Sequence, residues 1–331
     1  MDYRNFPKIE LHLHLDCSLS FQVAKHIRPS LTRQEYVESF IAPPKCTDLA
    51  DYISRAVKGF ELMQTTEQLR LVTLDLFRQL KKDRVVYAEI RFAPLLHIQQ
   101  GLSPEQVVEA VLAATKQGIE QSGVEARLIL CTLRRFDQEQ SLQTARLVEQ
   151  FRGTLVAGMD IAGDEAGYPI DNHVKAFEFA ISRGIPCTAH AGEARGADSV
   201  WETLKVLRPQ RIGHGVRSIE DQRLLSFLRD TGIHLEVCPT SNIQVDVFDR
   251  MADHPVDTFY NEGISLSINT DARTISDTSL EEEYRKLRQT FGWTLQHFKT
   301  CNLQAVEHSF APAELKEQIR LLLMAAYASE M

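Results

Sequence analysis

The sequence predicts an α/β protein that folds as one (β/α)8 TIM barrel, with a helical lid inserted after the first strand. Three observations support this prediction. Short apolar runs rich in β-branched residues recur along the chain, helical patterns separate them, and no linker, repeat or low-complexity stretch divides the 331 residues. Because 44% of the residues are apolar, a chain of this length buries a large core without disulfides. Residues 1–331 are therefore treated as a single domain.

Eight apolar runs are predicted to be strands, and their alternation with helices is typical of parallel β-structure with crossover connections. Eight such units in one undivided chain fit a closed barrel better than an open doubly wound sheet. Neither G-x-G-x-x-G nor G-x-x-x-x-G-K-[ST] follows any run, which counts against a nucleotide-phosphate fold. The predicted strands are 9–15, 85–92, 126–133, 155–162, 186–190, 211–214, 234–238 and 264–269.

Two of the intervening helices have recognisable capping signals in the sequence. Ser103 is predicted to cap a helix that has Pro104 at its first position and Gln106 three residues after the cap. Ser218 is predicted to cap a later helix, which ends at Gly232.

The connection between the first two strands, residues 16–83, is much longer than the others. Helical patterns occupy 32–40 and 48–63 within it. A connection of this length inside a compact domain is usually functional. Because it follows a strand, it leaves the barrel on the face where βα loops build active sites. We predict that residues 16–83 form a helical lid over that face.

Composition excludes several classes of function. The 37 Lys and Arg against 45 Asp and Glu give a net charge of −8, which argues against binding a nucleic-acid backbone. The most apolar short run, 321–326, is far below the roughly 20 residues of a membrane span, and the charged stretch 1–7 has no apolar signal segment. Six scattered cysteines without a C-x-x-C pair suggest a reduced, cytoplasmic protein. A small-molecule substrate fits these features, and the oligomeric state stays open.

Two histidines on the first predicted strand indicate a metal site. His12 and His14 alternate with Leu11, Leu13 and Leu15, so both imidazoles lie on one face of the strand. Their spacing of roughly 6.6–7 Å lets both nitrogens reach one ion at about 2.0–2.1 Å. The alternative is a pair of polar residues on a solvated strand face. In a barrel, however, that face is the interior, where two imidazoles without partners are costly.

Four further candidate side chains lie at the ends of three later strands. His190 ends the fifth strand and is a candidate third ligand. Glu193 follows it and is a candidate proton donor if burial raises its pKa. His214, flanked by two glycines, ends the sixth strand, and Asp271 follows the eighth, where a carboxylate is suited to bind metal or accept a proton. The structural alternatives are a helix-terminal carboxylate for Glu193, an incidental turn residue for His214 and a cap for Asp271.

Their common placement carries more weight than any one of these groups. The carboxyl ends of parallel barrel strands meet at one face, so the first, fifth, sixth and eighth strands deliver the groups to the same rim. The other histidines have no such placement and are interpreted as structural or surface residues: His26, His97, His173, His234, His254, His297 and His308.

Seven motifs then carry a resemblance to a known family. They are HLHLD at 12–16, VVYAEIRFAP at 85–94, MDIAGDE at 159–165, HAGE at 190–193, RIGHG at 211–215, CPTSN at 238–242 and SINTD at 267–271. In this order and spacing, over almost the whole chain, they resemble the adenosine deaminase family of the amidohydrolase superfamily, whose members are zinc-dependent (β/α)8 barrels.

The resemblance implies a role for individual residues. One Zn²⁺ per chain is expected on His12, His14, His190 and Asp271. Glu193 would protonate N1 of a 6-aminopurine, His214 would orient and stabilise the attacking hydroxide, and Asp271 would help take up its proton. In substrate binding, Gly163 would donate its N–H to purine N3, and Asp16 would accept from the ribose 5′-hydroxyl, with His14 beside it.

The implied reaction is zinc-dependent hydrolytic deamination of adenosine and deoxyadenosine to inosine and deoxyinosine, with release of ammonia. The H-x-E and P-C-x-x-C signature of cytidine-type deaminases is absent. A second hypothesis is another hydrolase of the superfamily that acts on a different C–N or ester bond. A third is a non-catalytic nucleoside-binding protein, which the complete set of ligand and acid residues disfavours.

Two positions depart from the family pattern. The acidic residue that usually follows the metal-binding Asp, and that hydrogen-bonds purine N7, is Ala272 here, and the usual proline is Arg273. Losing that hydrogen bond would cost roughly 1–3 kcal/mol. The glycine usual after the first motif's Asp is Cys17. Aminodeoxyfutalosine, adenine and N6-substituted nucleotides therefore stay open as alternative substrates. Arg273 is predicted to be a surface residue or, alternatively, to meet an anionic group of a modified nucleoside.

Overall fold

The computed structural model describes residues 5–328, and eight parallel strands form the centre of that part of the chain. Each strand overlaps one of the predicted runs, with bounds that differ by at most two residues. The strands are β1 (Lys8–His14), β2 (Val85–Phe92), β3 (Glu125–Leu133), β4 (Val156–Ala162), β5 (Thr188–Ala191), β6 (Arg211–His214), β7 (His234–Val237) and β8 (Leu266–Ile268).

The strands form two four-stranded parallel sheets, β1 to β4 and β5 to β8, which join at both edges. At one seam the N–H of Met159 in β4 donates to the carbonyl of Pro186 at 3.0 Å. At the other, His14 N–H donates to Asp271 O at 2.8 Å, and Asp271 N–H donates to His12 O at 3.0 Å. Backbone hydrogen bonds thus run around the whole ring, and the predicted (β/α)8 barrel is confirmed.

Helices surround the strands. They are α1 (Phe21–Ile27), α2 (Arg33–Phe40), α3 (Leu49–Ser54), α4 (Ala56–Phe60), α5 (Thr66–Lys82), α6 (Pro104–Ser122), α7 (Gln138–Gln150), α8 (Val174–Ser182), α9 (Ala197–Val206), α10 (Gln222–Thr231), α11 (Pro239–Gln244), α12 (Val256–Asn261), α13 (Leu280–Phe291), α14 (Leu295–His308) and α15 (Ala313–Ala328).

One predicted helix start is confirmed and the other is wrong. The Ser103 hydroxyl accepts from the N–H of Gln106, whose side chain returns a bond to Ser103, and this capping box begins α6. Ser218 instead lies inside a 3₁₀-helix, Val216–Glu220. Because this 3₁₀-helix comes first, α10 begins three residues later than predicted, and Asp221 is its N-cap. The helix ends at Gly232 as predicted.

The apolar residues of β1 face the helices. Leu11 is fully buried and packs in a cluster with Val306 of α14 and Leu323 of α15. Leu13, also fully buried, belongs to the main core. The opposite face of β1, which carries His12 and His14, is therefore the barrel interior.

The long connection after β1 has two parts. Helix α5 packs against α6 and β2, as the other helices of the outer layer pack on their neighbours. The part before it docks on the loops that follow β7 and β8. There, Ala42 N–H donates to Ile275 O at 2.8 Å, and Cys46 N–H donates to Gln244 O at 2.7 Å.

Residues 1–4 and 329–331, which the sequence analysis includes in the single domain, lie outside the described residues, as does most of the charged N-terminal stretch. Between residues 5 and 328, none of the helices has the length and apolar character that a membrane span requires. The six cysteines all lie in this range and carry free thiols.

Candidate active site

Imidazoles and one carboxylate from distant strands converge at one end of the barrel. One ligand atom from each of His12, His190, His214 and Asp271 lies within 4.8 Å of the others, and all four residues are buried. His14 adjoins them, since its Nε2 lies 3.1 Å from Nε2 of His190 and 3.4 Å from Oδ1 of Asp271. The structure thus brings together every residue predicted to bind the metal.

The backbone at this end is shaped for close approach. His214 and Asp271 have φ angles of 61° and 62°, in the left-handed region that non-glycine residues rarely occupy and that is over-represented at functional sites. A Cβ on Gly213 would lie 2.8 Å from Cε1 of His12. Glycine is therefore required at position 213 for the His12 ring to occupy its position.

Two buried carboxylates orient the imidazoles of His12 and His190. Nδ1 of His12 lies 2.8 Å from Oε2 of Glu236, and Nδ1 of His190 lies 3.2 Å from Oδ1 of Asp160. A carboxylate accepts, so each Nδ1 carries a proton and, in the neutral ring, each Nε2 keeps its lone pair. Nε2 of His12 is buried without a hydrogen bond, 3.3 Å from Oδ1 of Asp271. Electron pairs therefore converge at the centre of the cluster.

Arginines inside the barrel keep these carboxylates ionised. The Arg91 guanidinium lies 2.7 Å from Asp160 and 2.6 Å from Glu236, and Arg211 lies 2.7 Å from Glu236. Burial alone would raise the pKa of Asp160. The charges of His190 and Arg91 outweigh burial and hold that pKa below its ordinary value. Glu236 behaves alike, with Arg91 and Arg211 lowering its pKa well below the ordinary range.

None of these orienting residues was predicted from the sequence. Asp160, Glu236 and Arg91 each lie inside a buried strand, and the strand of Asp160 is otherwise apolar. A charge inside such a strand must be paired, so these positions carried a signal that went unused.

Glu193 lies in the same cavity, 3.5 Å from Nδ1 of His214. Its Oε1 is buried without a hydrogen bond. Burial raises the pKa of Glu193 well above the ordinary value, and the negative charges of Asp271 and Glu165 raise it further. Both effects favour the protonated form of this carboxyl group.

A chain of hydrogen bonds sets the tautomer of His214. The N–H of Val256 donates to Nδ1 of His254 at 3.1 Å, so the His254 proton is on Nε2 and donates to Oδ1 of Asn242 at 3.2 Å. Nδ2 of Asn242 then donates to Nδ1 of His214 at 3.1 Å. Burial lowers the pKa of His214 well below its ordinary value, so the neutral ring carries its proton on Nε2.

Asp271 is held on its other side by Ser241, whose hydroxyl donates to Oδ2 at 2.7 Å. Burial by itself would raise the pKa of Asp271, but the adjacent imidazoles of His12 and His214 lower it well below the ordinary value. Asp271 is thus a carboxylate with Oδ1 turned to the imidazoles.

The cluster opens into a cavity that has one largely apolar wall. Residues of α3 and α4 form this wall: Leu49, Tyr52, Ile53, Ala56, Val57 and Phe60. Asp16, Gly163 and Ala272 also line the cavity. Tyr52 is tied to the loop after β8, because its hydroxyl lies 2.6 Å from that of Ser276.

Asp16 is a buried carboxylate without a cationic partner among the described residues. Burial raises its pKa to about 6, and a backbone hydrogen bond at Ala93 only partly opposes this. The nearest imidazole nitrogen, Nε2 of His97, is 3.9 Å away, and burial lowers the pKa of His97 to about 4, so this ring is neutral.

Both interpretations of Arg273 were wrong. Its side chain is 3% exposed and does not line the cavity; Nη2 lies 2.5 Å from Glu10 and 3.0 Å from Asp83. Asp83 also accepts from the N–H of Leu280 at the start of α13. Arg273 therefore ties β1 to the helical layer. Glu10 and Asp83 are distant from it in the chain, so no local pattern announced this role.

The family model and the curated relatives that match this chain carry the same name. The family model described as adenosine deaminase matches residues 7–326. A Clostridium acetobutylicum protein named adenosine deaminase is 33% identical over 319 residues, covering 94% of this chain and 95% of its own length. A Clostridium perfringens protein of the same name is 33% identical over 335 residues, covering 98% of this chain and 100% of its own length.

Solved structures match the fold over nearly the whole chain. An adenine deaminase from Arthrobacter aurescens has a TM-score of 0.88 at 24% identity, with 98% of each chain covered. An amidohydrolase from Burkholderia ambifaria has a TM-score of 0.90 at 21% identity, with 99% and 92% covered. An N6-methyl-AMP deaminase from Arabidopsis thaliana has a TM-score of 0.86 at 23% identity, with 99% of each chain covered.

Proposed function

The chain belongs to the adenosine deaminase family, and we propose that it hydrolyses adenosine and deoxyadenosine to inosine, deoxyinosine and ammonia, with one Zn²⁺ per chain. Two relatives that match it over nearly their full length are named adenosine deaminase. The observation that carries the proposal is a buried Glu193 of raised pKa beside a cluster of converging imidazole lone pairs, in one cavity.

The proposed zinc ligands are His12, His14, His190 and Asp271. The Nδ1–H groups of His12 and His190 are already used by carboxylates; Nε2 of His12 is buried without a hydrogen-bond partner, and Nε2 of His190 faces Nε2 of His14 at 3.1 Å. A buried lone pair in that position is unfavourable unless a cation binds it. Imidazole nitrogen and carboxylate oxygen are common Zn²⁺ ligands, and the Burkholderia amidohydrolase was solved with bound Zn. Zn²⁺, when bound, lowers the pKa of a water molecule towards 7, which makes hydroxide available at neutral pH.

Glu193 is the proposed proton donor. Addition of an oxygen nucleophile at C6 of the purine pushes negative charge onto the ring, and a proton delivered to N1 neutralises it. A donor for this step must still be protonated at neutral pH. The pKa of Glu193 is raised by burial and then by the charges of Asp271 and Glu165, which is the direction that a proton donor requires.

His214 and Asp271 are proposed to act on the nucleophile. The Nε2–H of His214, fixed through Asn242, orients the attacking oxygen by donating to it. Asp271 is an ionised carboxylate and accepts the proton that the attacking water loses. Acid and base thus act on opposite ends of one C=N unit.

We propose a nucleoside rather than a nucleotide as the substrate. Asp16 would accept from the ribose 5′-hydroxyl and Gly163 would donate its N–H to N3. A 5′-phosphate would meet the Asp16 carboxylate, for which the described residues provide no ion-pair partner other than His97 at 3.9 Å. Residues 16–83 were predicted to form a lid; of this connection, α3 and α4 line the cavity, and we propose that they exclude water from the reaction. Six free thiols support a reducing compartment, and we propose the cytoplasm.

The test is a substrate screen with purified, zinc-loaded protein. Metal content is measured by mass spectrometry, and product formation is followed by chromatography for adenosine, deoxyadenosine, adenine, N6-methyl-AMP and aminodeoxyfutalosine. We expect one zinc per chain, the highest kcat/KM with the two nucleosides, and loss of activity on chelation that added Zn²⁺ restores. If none of the five is converted, the proposed activity is refuted. If adenine, N6-methyl-AMP or aminodeoxyfutalosine gives a higher kcat/KM than the two nucleosides, that compound is the substrate in place of adenosine.

A further inference from the structure

A carboxylate behind the proton donor collects an unusual number of hydrogen bonds. Oε2 of Glu165 accepts from the backbone N–H groups of Glu193, Ala194 and Arg195 at 2.9, 2.7 and 2.9 Å. Oε1 accepts from the N–H of Gly192 at 2.8 Å and from the hydroxyl of Ser199 at 2.6 Å. Four consecutive N–H groups thus point at one side chain, which is the geometry of an anion-binding nest.

The hydrogen bonds of Glu165 join two loops that follow different strands. Glu165 follows β4, whereas residues 192–195 follow β5 and include the proposed acid. Arg134 completes the arrangement, since its guanidinium donates to the carbonyl of His190 at 2.9 Å and lies 4.0 Å from Oε1 of Glu165. Glu165 is 2% exposed and does not line the cavity. It therefore acts on the loop and not on a bound substrate.

We propose that Glu165 is a positioning residue that holds the 192–195 loop, and with it Glu193, in the geometry needed to protonate the substrate. The proposal rests on the proposed function for the role of Glu193. Short charge-assisted hydrogen bonds to backbone N–H groups are among the stronger ones in proteins, and four of them on one carboxylate, with the Ser199 hydroxyl as a fifth donor, leave the loop little freedom. A proton donor must lie within hydrogen-bond reach of the atom it protonates, so a small loop displacement lowers the rate.

A second consequence of this placement supports the proposal. The negative charge of Glu165 is one of the causes that raise the pKa of Glu193, after burial and the charge of Asp271. The same side chain thus orients the acid and helps to keep its proton.

The test uses Glu165→Gln, which keeps the shape but replaces one acceptor oxygen with an amide that donates. We expect kcat to fall about 10- to 100-fold with KM within about 3-fold, because substrate binding does not involve this side chain. In a double-mutant cycle, Glu165→Gln is expected to cost little further kcat in a Glu193→Gln background, since both changes disable the same step. Independent, multiplying effects would overturn the proposal.

Hydrogen exchange gives a readout that does not depend on activity. In the wild type the amides of residues 192–195 are expected to exchange slowly, and in Glu165→Gln they are expected to exchange at least about 10-fold faster. The matched control is Glu283→Gln, which alters another buried carboxylate, one that accepts from Thr240 N–H at 3.1 Å and Thr278 Oγ1–H at 2.6 Å. The control should leave exchange at 192–195 unchanged.

These measurements separate two kinds of failure. Unchanged exchange at 192–195 in Glu165→Gln refutes the positioning role even if the enzyme deaminates adenosine. Faster local exchange in a protein that converts none of the purines refutes the proposed function and leaves the contact with the loop established.

Discussion

Nδ2 of Asn242 lies 3.1 Å from Nδ1 of His214, and this contact decides which nitrogen of His214 carries the proton. The direction of the whole chain follows from the backbone N–H of Val256, which can only donate to His254. The backbone N–H of Val256 thus sets the tautomer of His214 through two intervening side chains, His254 and Asn242.

Replacing Asn242 with Asp tests this relay. A carboxylate at this position accepts, so it draws the His214 proton onto Nδ1 and removes the Nε2–H from the cavity. We expect kcat to fall at least about 100-fold, because a histidine in the wrong tautomer loses most of its catalytic effect. Steady-state kinetics give the answer, with circular dichroism to verify the fold. A variant that keeps more than a third of the wild-type kcat would contradict the relay.

The second prediction concerns the proposed acid. Glu193→Gln keeps the size of the side chain and removes the ionisable proton, so we expect kcat to fall about 100- to 10,000-fold. Zinc content should stay near one per chain, because Glu193 is outside the proposed ligand set. Kinetics and metal analysis of the same preparation are the measurements. Retained activity would exclude Glu193 as the proton donor.

The third prediction concerns Ala272, which is 2% exposed and lines the cavity. The resemblance implies an acidic residue at this position that meets purine N7, so introducing one with Ala272→Asp should increase kcat/KM for adenosine. A hydrogen bond of about 1–3 kcal/mol corresponds to a gain of about 5- to 150-fold. Ala272→Val, which adds volume without a polar group, is the control. If kcat/KM is unchanged or falls in the Asp variant, the pocket serves a different ligand.

The fourth prediction concerns the ion pairs of Arg273. Arg273→Met leaves the buried carboxylates of Glu10 and Asp83 without their guanidinium, and we expect the free energy of unfolding to fall by about 3–5 kcal/mol. Arg320→Met removes an exposed guanidinium, 47% accessible and paired with Glu317, and should cost less than about 1 kcal/mol. Urea denaturation of both variants provides the comparison. Equal losses would mean that the buried network contributes no more than a surface pair.

The fifth prediction is a pH dependence of stability. Burial lowers the pKa of His254 to about 3, below the ordinary value of about 6.5 in the unfolded chain. The unfolded state therefore takes up a proton first as the pH falls. The contribution of the neutral His254 ring to the free energy of unfolding is complete above pH 6.5 and is lost as the pH falls towards 3. Between pH 7 and 5 this loss is about 2 kcal/mol.

His254→Gln removes this titration, so the variant should lose about 2 kcal/mol less than the wild type between pH 7 and 5. Urea denaturation at the two pH values measures the difference. His26→Gln, an exposed histidine of α1, should behave like the wild type. If His254→Gln and the wild type lose equal stability, His254 is not the buried neutral group described above.

Local patterns were sufficient where the determining contacts are near in sequence. The eight strands were predicted within two residues because apolar runs and their boundaries are local. The convergence of His12, His190, His214 and Asp271 followed from strand order in a barrel. Ser218 was misjudged because a 3₁₀ turn and an α-helical turn use the same kinds of residue at their start.

The sequence by itself determined the barrel, the family and the residues that gather at the carboxyl ends of the strands, since all of these follow from periodicity, strand ends and motif order. Only the tertiary structure decided what holds those residues: Glu236 against His12, Glu165 behind the Glu193 loop, and Glu10 with Asp83 around Arg273. The physical reason is that a buried charge is stable only beside its partner. Which distant residue becomes that partner depends on how the closed ring of strands sets register and spacing.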